Sequence, residues 1–281
     1  MKRTIHTIPF AAALFVSGAC IGPVAADLPN LPDKPWEDYF AAFESRKFNF
    51  TLDPYGQGKL TPIGDSGKVA GHSLLVSVTF VVEEVLPGGK TSVKQIDHET
   101  VETKDKPFLK QGKATFRGKV TGGASFEGVV EIDRGAIQLG GRLLDPGTLT
   151  KNPLRLGVRV AFPSLYRHSK KSEKDDLKNF TKKLKDDRYS LVWTDGKRAK
   201  FEGGDKLDPE AKAVNGPGIA EFRADTAAYQ GRSFEFKAGA NAKMLVWARQ
   251  EQQFHEGLTI TWYPDPAKDP AGKARFTIEI R

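Results

Sequence analysis

The most regular stretch of the 281-residue chain is residues 154–162, which read Leu-Arg-Leu-Gly-Val-Arg-Val-Ala-Phe. Every second residue is a large apolar one, and the residues between them are small or charged. Successive side chains of a β-strand point to opposite faces of its sheet. This alternation therefore predicts a strand with one buried face and one polar face.

The same period of two recurs along the chain. It is clear in residues 48–52 and 74–82, and further strands are predicted at 136–144, 189–195, 197–202, 218–223, 232–238, 243–250, 257–263 and 273–280. About a dozen short strands separated by turn residues predict an all-β fold, mainly an antiparallel β-sandwich, jelly roll or barrel. We expect one β-rich domain over 46–281, with a subdivision near 170 as the alternative.

Residues 113–133 predict a β-hairpin whose register follows from its hydrophobic pattern. A two-residue loop, Gly122-Gly123, would set Val120 opposite Ser125 and mix buried with exposed positions. A three-residue loop over 122–124 instead sets Val120 opposite Phe126, so that apolar residues share one face. The pattern favours the three-residue loop.

Two segments have helical rather than strand spacing. Ser172-Glu173-Lys174-Asp175 fits a capping box, and Leu177, Phe180 and Leu184 follow at intervals of three and four, which predicts an amphipathic helix over 172–186. A short helix over 36–43 is predicted on the same ground, within a linker segment 27–45.

The first 26 residues are typical of a secretory signal peptide. Lys2 and Arg3 precede a short apolar run, and Val24-Ala25-Ala26 supplies small residues for cleavage after Ala26. The run is too short and too interrupted by Gly and Pro for a transmembrane segment. We expect a secreted or periplasmic bacterial protein. The alternative is a lipoprotein anchored through Cys20, and the intact mass of the exported protein distinguishes the two.

Composition excludes several classes of protein. With 39% hydrophobic residues and 18 Phe, the chain can build a core and is not disordered. Its single cysteine, Cys20, excludes a disulfide framework. Cleavage after Ala26 removes two of the 43 basic residues and none of the 35 acidic ones, which leaves a net charge of +6 on a mixed-sign surface. Export and this mixing argue against a nucleic-acid partner.

Three arginines form the sharpest ligand-binding hypothesis. Arg142, Arg155 and Arg159 lie opposite the apolar residues of two consecutive predicted strands. If those strands pair, the three guanidinium groups share one exposed face, where they would suit the carboxylates, sulfates or phosphates of an anionic polymer. Another envelope protein is the alternative partner, and a polar outer face without a ligand is the simpler interpretation.

Strand phase separates the aromatic residues into two groups. Trp193 and Trp262 align with apolar neighbours, and Trp247 lies in a run that is apolar on both faces, so all three are predicted to belong to the core. Tyr55 and Tyr263 do not follow the core phase. They are the surface candidates for stacking on a ligand.

Acid–base chemistry has weaker candidates. Asp97, His98 and Glu99 are adjacent, and His255 would have to join them from elsewhere. A charged edge strand explains the same run without catalysis. The phosphate loop, the dinucleotide fingerprint, the G-x-S-x-G elbow and H-E-x-x-H are absent from the sequence, and we expect neither a metal site nor a cofactor.

These observations leave three hypotheses for the function. The first is a non-catalytic binding or structural protein of the bacterial envelope or extracellular space. The second is a hydrolase that cleaves polysaccharide-type substrates with carboxylates, which requires two carboxyl groups flanking one bond. The third is a carrier of apolar ligands in a barrel covered by the helix over 172–186.

Overall fold

The chain folds almost entirely into β-strands. The computed structural model describes residues 39, 41–53, 55–64, 66–67, 74–103, 105, 108–109, 111–165, 182, 184–207, 211, 216–248, 254 and 257–281. The described residues from 31 onward belong to one compact unit.

The strands are numbered here in chain order. They are β1 Ala41–Glu44, β2 Phe48–Leu52, β3 Gln57–Pro62, β4 Val76–Val85, β5 Thr91–Lys94, β6 Ile96–Thr103, β7 Phe108–Leu109, β8 Gly112–Val120, β9 Ser125–Asp133, β10 Ala136–Asp145, β11 Leu154–Ala161, β12 Arg188–Trp193, β13 Arg198–Glu202, β14 Ile219–Asp225, β15 Ser233–Lys237, β16 Ala242–Ala248, β17 Leu258–Pro264 and β18 Phe276–Ile280. Two 3₁₀ turns cover Pro87–Gly89 and Ala227–Tyr229.

Hydrogen bonds join these strands into one sheet with two long series of neighbours. In one series β4 lies between β3 and β11, and β17 connects β11 to β16. In the other, β12, β14, β15, β18, β10, β9, β8 and β6 follow one another. Among the described residues the two series are joined by one pair, Ile219 opposite Met244 of β14 and β16. The strand pairings that the structure describes are antiparallel, with the exception of β1 with β7.

The two series pack face to face across an aromatic core. Phe80 of β4 meets Phe116 of β8 edge to face, with ring centroids 5.1 Å apart. Trp262 of β17 stacks near Phe276 of β18 at 6.2 Å. These contacts join strands from both series, so the inner face of the curled, half-barrel sheet encloses one hydrophobic core. The predicted all-β, mainly antiparallel class is confirmed.

The predicted helices have different outcomes. Most of the segment 172–186 lies outside the described residues, and of its C-terminal part residues 182 and 184–186 are helical. The prediction of a helix over 36–43 is wrong for its last residues, because Ala41–Glu44 pair with β2 as a strand. The aromatic residues have helical spacing, but pairing of this segment with β2 determines its structure instead.

The β8–β9 hairpin keeps the predicted inward face but not the predicted register. Phe116 lies opposite Gly128, and Gly118 lies opposite Phe126, so the three-residue connection is 121–123 rather than 122–124. A shift of two residues preserves which face each side chain occupies. The observed register gives each phenylalanine a glycine partner, whose missing side chain leaves room for the ring.

Several predictions fall on other parts of the chain. The signal peptide 1–26, Cys20 and His255 lie outside the described residues, so cleavage, export and lipidation stay predictions. Among the residues that the structure does describe, there is no helix with the length and hydropathy needed to span a bilayer.

Candidate functional site

Three strands bring charged side chains together on the face of the sheet that points away from the core. In the pairing of β4 with β11, Glu83 lies directly opposite Arg155. Arg159 is four residues further along β11 and shares this face, and Tyr263 projects to it from β17. Because directly opposed residues of an antiparallel pair share a face, the four side chains are neighbours.

Glu83 is the centre of this group. Its side chain is only 1% exposed. Its Oε2 accepts hydrogen bonds from Arg155 Nη2 at 2.9 Å and from the Tyr263 hydroxyl at 2.7 Å, while its Oε1 accepts one from Arg159 Nη2 at 2.6 Å. A carboxylate buried this deeply is stable only when it is paired and hydrogen-bonded, and here two guanidinium groups and a phenol satisfy it. We call these four residues the Glu83 cluster.

Tyr263 connects the cluster in two ways. Its hydroxyl donates to Glu83 and accepts from Arg155 Nη2 at 3.0 Å, and the Arg155 guanidinium lies 3.7 Å from the centre of its ring. Burial and the nearby negative charge of Glu83 raise the pKa of Tyr263, so the phenol keeps its proton. A Cβ at Gly157 would come within 2.8 Å of this ring, so the glycine between the two arginines leaves room for Tyr263.

A cleft of about 670 Å³ opens beside Arg155 and Tyr263. It lies close to the point where β14 and β16 make their single pair. Its lining brings together five chain segments and consists, among the described residues, of Arg155, Thr194, Pro217, Ala220, Gly239, Asn241, Ala242, Lys243, Tyr263, Pro264, Asp265, Pro266 and Lys268.

Lys243 makes the cleft electrostatically unusual. Its Nζ donates to the carbonyl oxygen of Gly216 at 3.1 Å. Burial lowers the pKa of Lys243, the positive charge of Arg155 lowers it further, and Asp265 partly opposes the shift. Two cations thus face the same space, and the positive charge of Arg155 disfavours the protonated form of Lys243. An anion in the cleft would offset part of this effect.

The charges around the cleft favour an anionic ligand. Arg155, Lys243 and Lys268 line it, whereas Asp265 is the single carboxylate in the described lining. Asp265 lies 3.5 Å from Nζ of Lys268, which leaves Arg155 and Lys243 as the cations that face the cleft without a carboxylate of its lining. Glu83 is already hydrogen-bonded within its cluster. Nη1 of Arg155 makes no hydrogen bond among the described residues, in contrast to its Nε and Nη2. Clefts lined by one sign of charge concentrate ligands of the opposite sign.

The structure brings together three of the five predicted ligand-binding residues. Arg155, Arg159 and Tyr263 belong to the Glu83 cluster. Tyr263 was expected at the surface, but it is only 4% exposed. The prediction that Trp247 belongs to the core is wrong: the residue is half-buried on the face of the sheet that points away from the core, where Cζ of Arg159 lies 5.9 Å from the centre of its ring. Leu245 shares this face of the strand and is buried, so the face is covered at Leu245 and only partly at Trp247.

The expectation that Arg142 shares a face with Arg155 and Arg159 is wrong. Strand β10, which carries Arg142, pairs with β9 and β18, whereas β11 pairs with β4 and β17. Arg142 instead lies 3.4 Å from Glu127, which also binds Arg117 at 2.7 Å. A short connection between two strands does not require them to pair, and here it crosses between different parts of the sheet.

The predicted acid–base residues lie elsewhere. Asp97, His98 and Glu99 are all exposed on β6, which has an irregular register between Asp97 and Glu102. His98 stacks on Tyr55, which is 44% exposed, with ring centroids 4.1 Å apart. Within the described part of the chain there is no group of three or more metal-ligating side chains.

Sequence analysis missed Glu83 and Lys243. Both lie in phase with the outward faces of strands, where a charged residue is ordinarily solvated. The only local signal for Glu83 was an acidic residue directly following the apolar run Phe80-Val81-Val82. Its partners lie 72 and 76 residues away on β11, so the pairing could not be read locally.

Comparisons with known proteins concern the fold. No protein-family model matches the chain, and no curated protein matches it. Among solved structures, a quadruple mutant of the α-N-acetylgalactosaminidase NagBb from Bifidobacterium bifidum is similar at a TM-score of 0.50 and 9% identity, and the same enzyme in a GalNAc complex at 0.49 and 10%. Each match covers 85% of this chain and 36% of the enzyme. The chain thus spans about a third of that enzyme's length, and at this identity the likeness shows a shared β-fold alone.

Proposed function

We propose that the chain is a non-catalytic binding protein that holds an anionic glycan in the cleft beside the Glu83 cluster. The observation that carries this proposal is the convergence of Arg155, Lys243 and Lys268 on one concavity of about 670 Å³. Glu83 and Tyr263 hold Arg155 in place, which reduces the entropy that binding must otherwise cost. In keeping with the predicted signal peptide, we propose that the protein acts outside the cytoplasm.

A glycan is proposed because the cleft offers more than charge. Thr194 and Asn241 belong to the same lining. Their side chains donate to the carbonyl oxygens of Pro217 and Lys268, and their own oxygen atoms can still accept hydrogen bonds from hydroxyl groups. The solved enzyme with a similar fold acts, by its name, on an N-acetylgalactosaminide. That likeness is support at the level of the fold, and the cleft residues support the anionic character of the ligand.

The two other hypotheses have less support. Hydrolysis of a glycoside requires two carboxyl groups flanking one bond. The described lining contains Asp265 as its one carboxylate, and Asp97 and Glu99 are exposed on β6 instead. A carrier would need an open interior, but the inner face is filled by ring contacts such as those of Phe162 with Phe234 and Phe236.

Removing the cleft cations is the direct test. We expect Arg155→Gln and Lys243→Gln each to weaken binding of oligogalacturonate, a carboxylated glycan, or of heparin oligosaccharides, a sulfated one, by about tenfold, since one charge-assisted hydrogen bond is worth about 1.4 kcal/mol or more. Isothermal titration calorimetry measures the change. Arg142→Gln is the matched control, because it removes one outward arginine elsewhere. Equal losses in all three variants would mean that net charge, and not this cleft, retains the glycan.

Binding should also depend on pH through Lys243. Its pKa in the free protein is lowered, and a bound anion favours the protonated form and raises it. The affinity for the anion is therefore highest below the pKa that Lys243 has in the free protein, and it falls as the pH rises through that pKa. Tyr263, with its raised pKa, stays neutral over this range. We expect a weaker Kd at about pH 10 than at about pH 7, and no such change in Lys243→Gln. The same pH dependence in that variant would contradict this role of the lysine.

A further inference from the structure

Two exposed rings from distant parts of the sequence stack on each other at the surface. Tyr55 lies in the turn between β2 and β3, and His98 lies on β6. Their centroids are 4.1 Å apart with an interplanar angle of 29°. Both are exposed, and Tyr55 is 44% exposed. A stacking site for a ligand needs rings that are held in place. Hydrogen bonds hold the turn that carries Tyr55 and the bulge that carries His98.

The turn that carries Tyr55 is fixed to the core. Asp53 Oδ1 accepts hydrogen bonds from the backbone N–H groups of Tyr55 and Gln57, each at 2.9 Å. Gly56 has a φ of +68°, and a Cβ there would lie 3.2 Å from Phe80 Cβ. The N–H of Phe80 donates to the carbonyl oxygen of Gly56 at 2.9 Å. The turn is thus bonded to β4 and closely packed on it, so Tyr55 extends from a rigid base.

The segment that carries His98 is also held in a defined conformation by hydrogen bonds. Between Asp97 and Glu102 the register of β6 against β8 shifts, with Asp97 opposite Lys119 but Glu102 opposite Arg117. Thr100 organises this bulge, since its Oγ1 donates to the Asp97 carbonyl at 2.7 Å and accepts from the Lys119 N–H at 2.8 Å. Bulges of this kind re-aim side chains, and this one accompanies the stacking of His98 on Tyr55.

We propose that Tyr55 and His98 form a second binding site, which stacks on the ring of a neutral sugar. A tyrosine ring offers a large contact area at a low cost in conformational entropy. A pyranose presents an apolar C–H face that can lie on the side of the Tyr55 ring away from His98. The exposed Asp97 and Glu99 next to His98 can accept hydrogen bonds from the hydroxyl groups of the sugar. This site is separate from the cleft and does not depend on the anionic ligand proposed for it.

The surroundings argue for a sugar and for a neutral one. The stack has exposed Asp97 and Glu99 on either side of His98, whereas charged residues are depleted from the buried centre of a protein–protein interface. Asp53 adds a third carboxylate; burial raises its pKa, and the hydrogen bonds from the backbone N–H groups of Gln57 and Tyr55 partly oppose this shift. Three carboxylates beside the rings disfavour an anionic unit, so the neutral residues of a glycan fit here best.

The test uses an array of neutral oligosaccharides built from glucose, galactose, N-acetylglucosamine and N-acetylgalactosamine, probed with the full chain and with variants. We expect Tyr55→Ala and His98→Ala to reduce the signal of the bound glycans about tenfold, and Tyr55→Phe to retain it because the ring remains. Leu144→Ala is the matched control, since Leu144 is an exposed apolar side chain, at 40%, on β10.

The outcomes separate this site from the cleft. Lys243→Gln, which changes the cleft without breaking the Glu83 cluster, should leave neutral glycan binding unchanged, while Tyr55→Ala should leave oligogalacturonate binding by the cleft in place. If Lys243→Gln removes the neutral signal and Tyr55→Ala does not, the sugar binds in the cleft and the proposal is wrong. Absence of binding to every neutral glycan on the array by the unaltered chain would also overturn it. Unchanged melting temperatures of the variants exclude misfolding as the cause of any loss.

Discussion

Replacing Glu83 with alanine is expected to lower the free energy of unfolding by about 3 kcal/mol, because it leaves two guanidinium groups without their shared carboxylate. The Arg155 side chain is 14% exposed and Arg159 29%. Neither side chain can become fully solvated without disturbing the strand that carries it. Arg159 is the more exposed of the two and is solvated more readily, which places the expected loss at the lower end of the range for broken buried ion pairs.

Two further variants distinguish charge from packing in this cluster. Glu83→Gln keeps the volume and the acceptor oxygen but removes the charge, so it should destabilise the protein less than Glu83→Ala. Tyr263→Phe removes one hydroxyl that both donates and accepts, and should cost about 1 kcal/mol. Urea unfolding followed by tryptophan fluorescence measures all three. A loss below about 1 kcal/mol for Glu83→Ala would show that water already reaches the cluster.

We expect the substitution of Glu83 to change anion binding as well as the stability of the fold. Glu83 holds Nε and Nη2 of Arg155 and leaves Nη1 for the cleft. In Glu83→Gln the arginine loses its charged partner and its fixed orientation, while the positive charge of the site increases. A weaker Kd for oligogalacturonate in this variant, despite that extra positive charge, would identify orientation as the larger effect.

The sequence predicted most of the longer strands because their signal is local, but it assigned most of β1 to a helix and gave no strand for β3 or β5. Alternation over Leu154 to Phe162 requires only that one face be buried, and β11 occupies residues 154–161. The inward positions of the β8–β9 hairpin followed from the same period. Its register did not, because a shift of two residues changes no face and the pairing of Phe116 with Gly128 depends on ring volume across the strands.

The site was predicted only in part because its pairings are remote in sequence. Strand phase correctly grouped Arg155 with Arg159, which lie on one strand. It assigned Arg142 to the same face by assuming that consecutive strands pair, and β10 and β11 have different partners. The cluster forms because β4 and β17 flank β11, and this order brings Glu83 and Tyr263 to the arginines. Nothing in a local window specifies that order.

Gly141 is the position where the fold should tolerate a side chain least. It lies in β10 opposite Gly128, with a φ of +153°. A Cβ at this position would fall inside van der Waals contact with the backbone carbonyl oxygen of Glu127, and 2.7 Å from Cδ2 of the buried Leu156. The first neighbour is main chain of the adjacent strand and cannot rotate away. We expect Gly141→Ala to destabilise the protein by about 3 kcal/mol, from overpacking together with backbone strain.

Two matched glycine substitutions separate these causes. Gly123 has a φ of +75°, and no atom lies within 4 Å of the place that a Cβ would occupy, so Gly123→Ala should cost the strain alone, about 1 kcal/mol. Gly204 has no positive φ, and no atom lies within 4 Å of the place that a Cβ would occupy, so Gly204→Ala should change stability by less than about 0.5 kcal/mol. Urea midpoints then rank the three variants. If Gly141→Ala loses no more than Gly123→Ala, β9 and β10 can separate at this point, and the close approach of their backbones is not needed to hold Leu156 in the core.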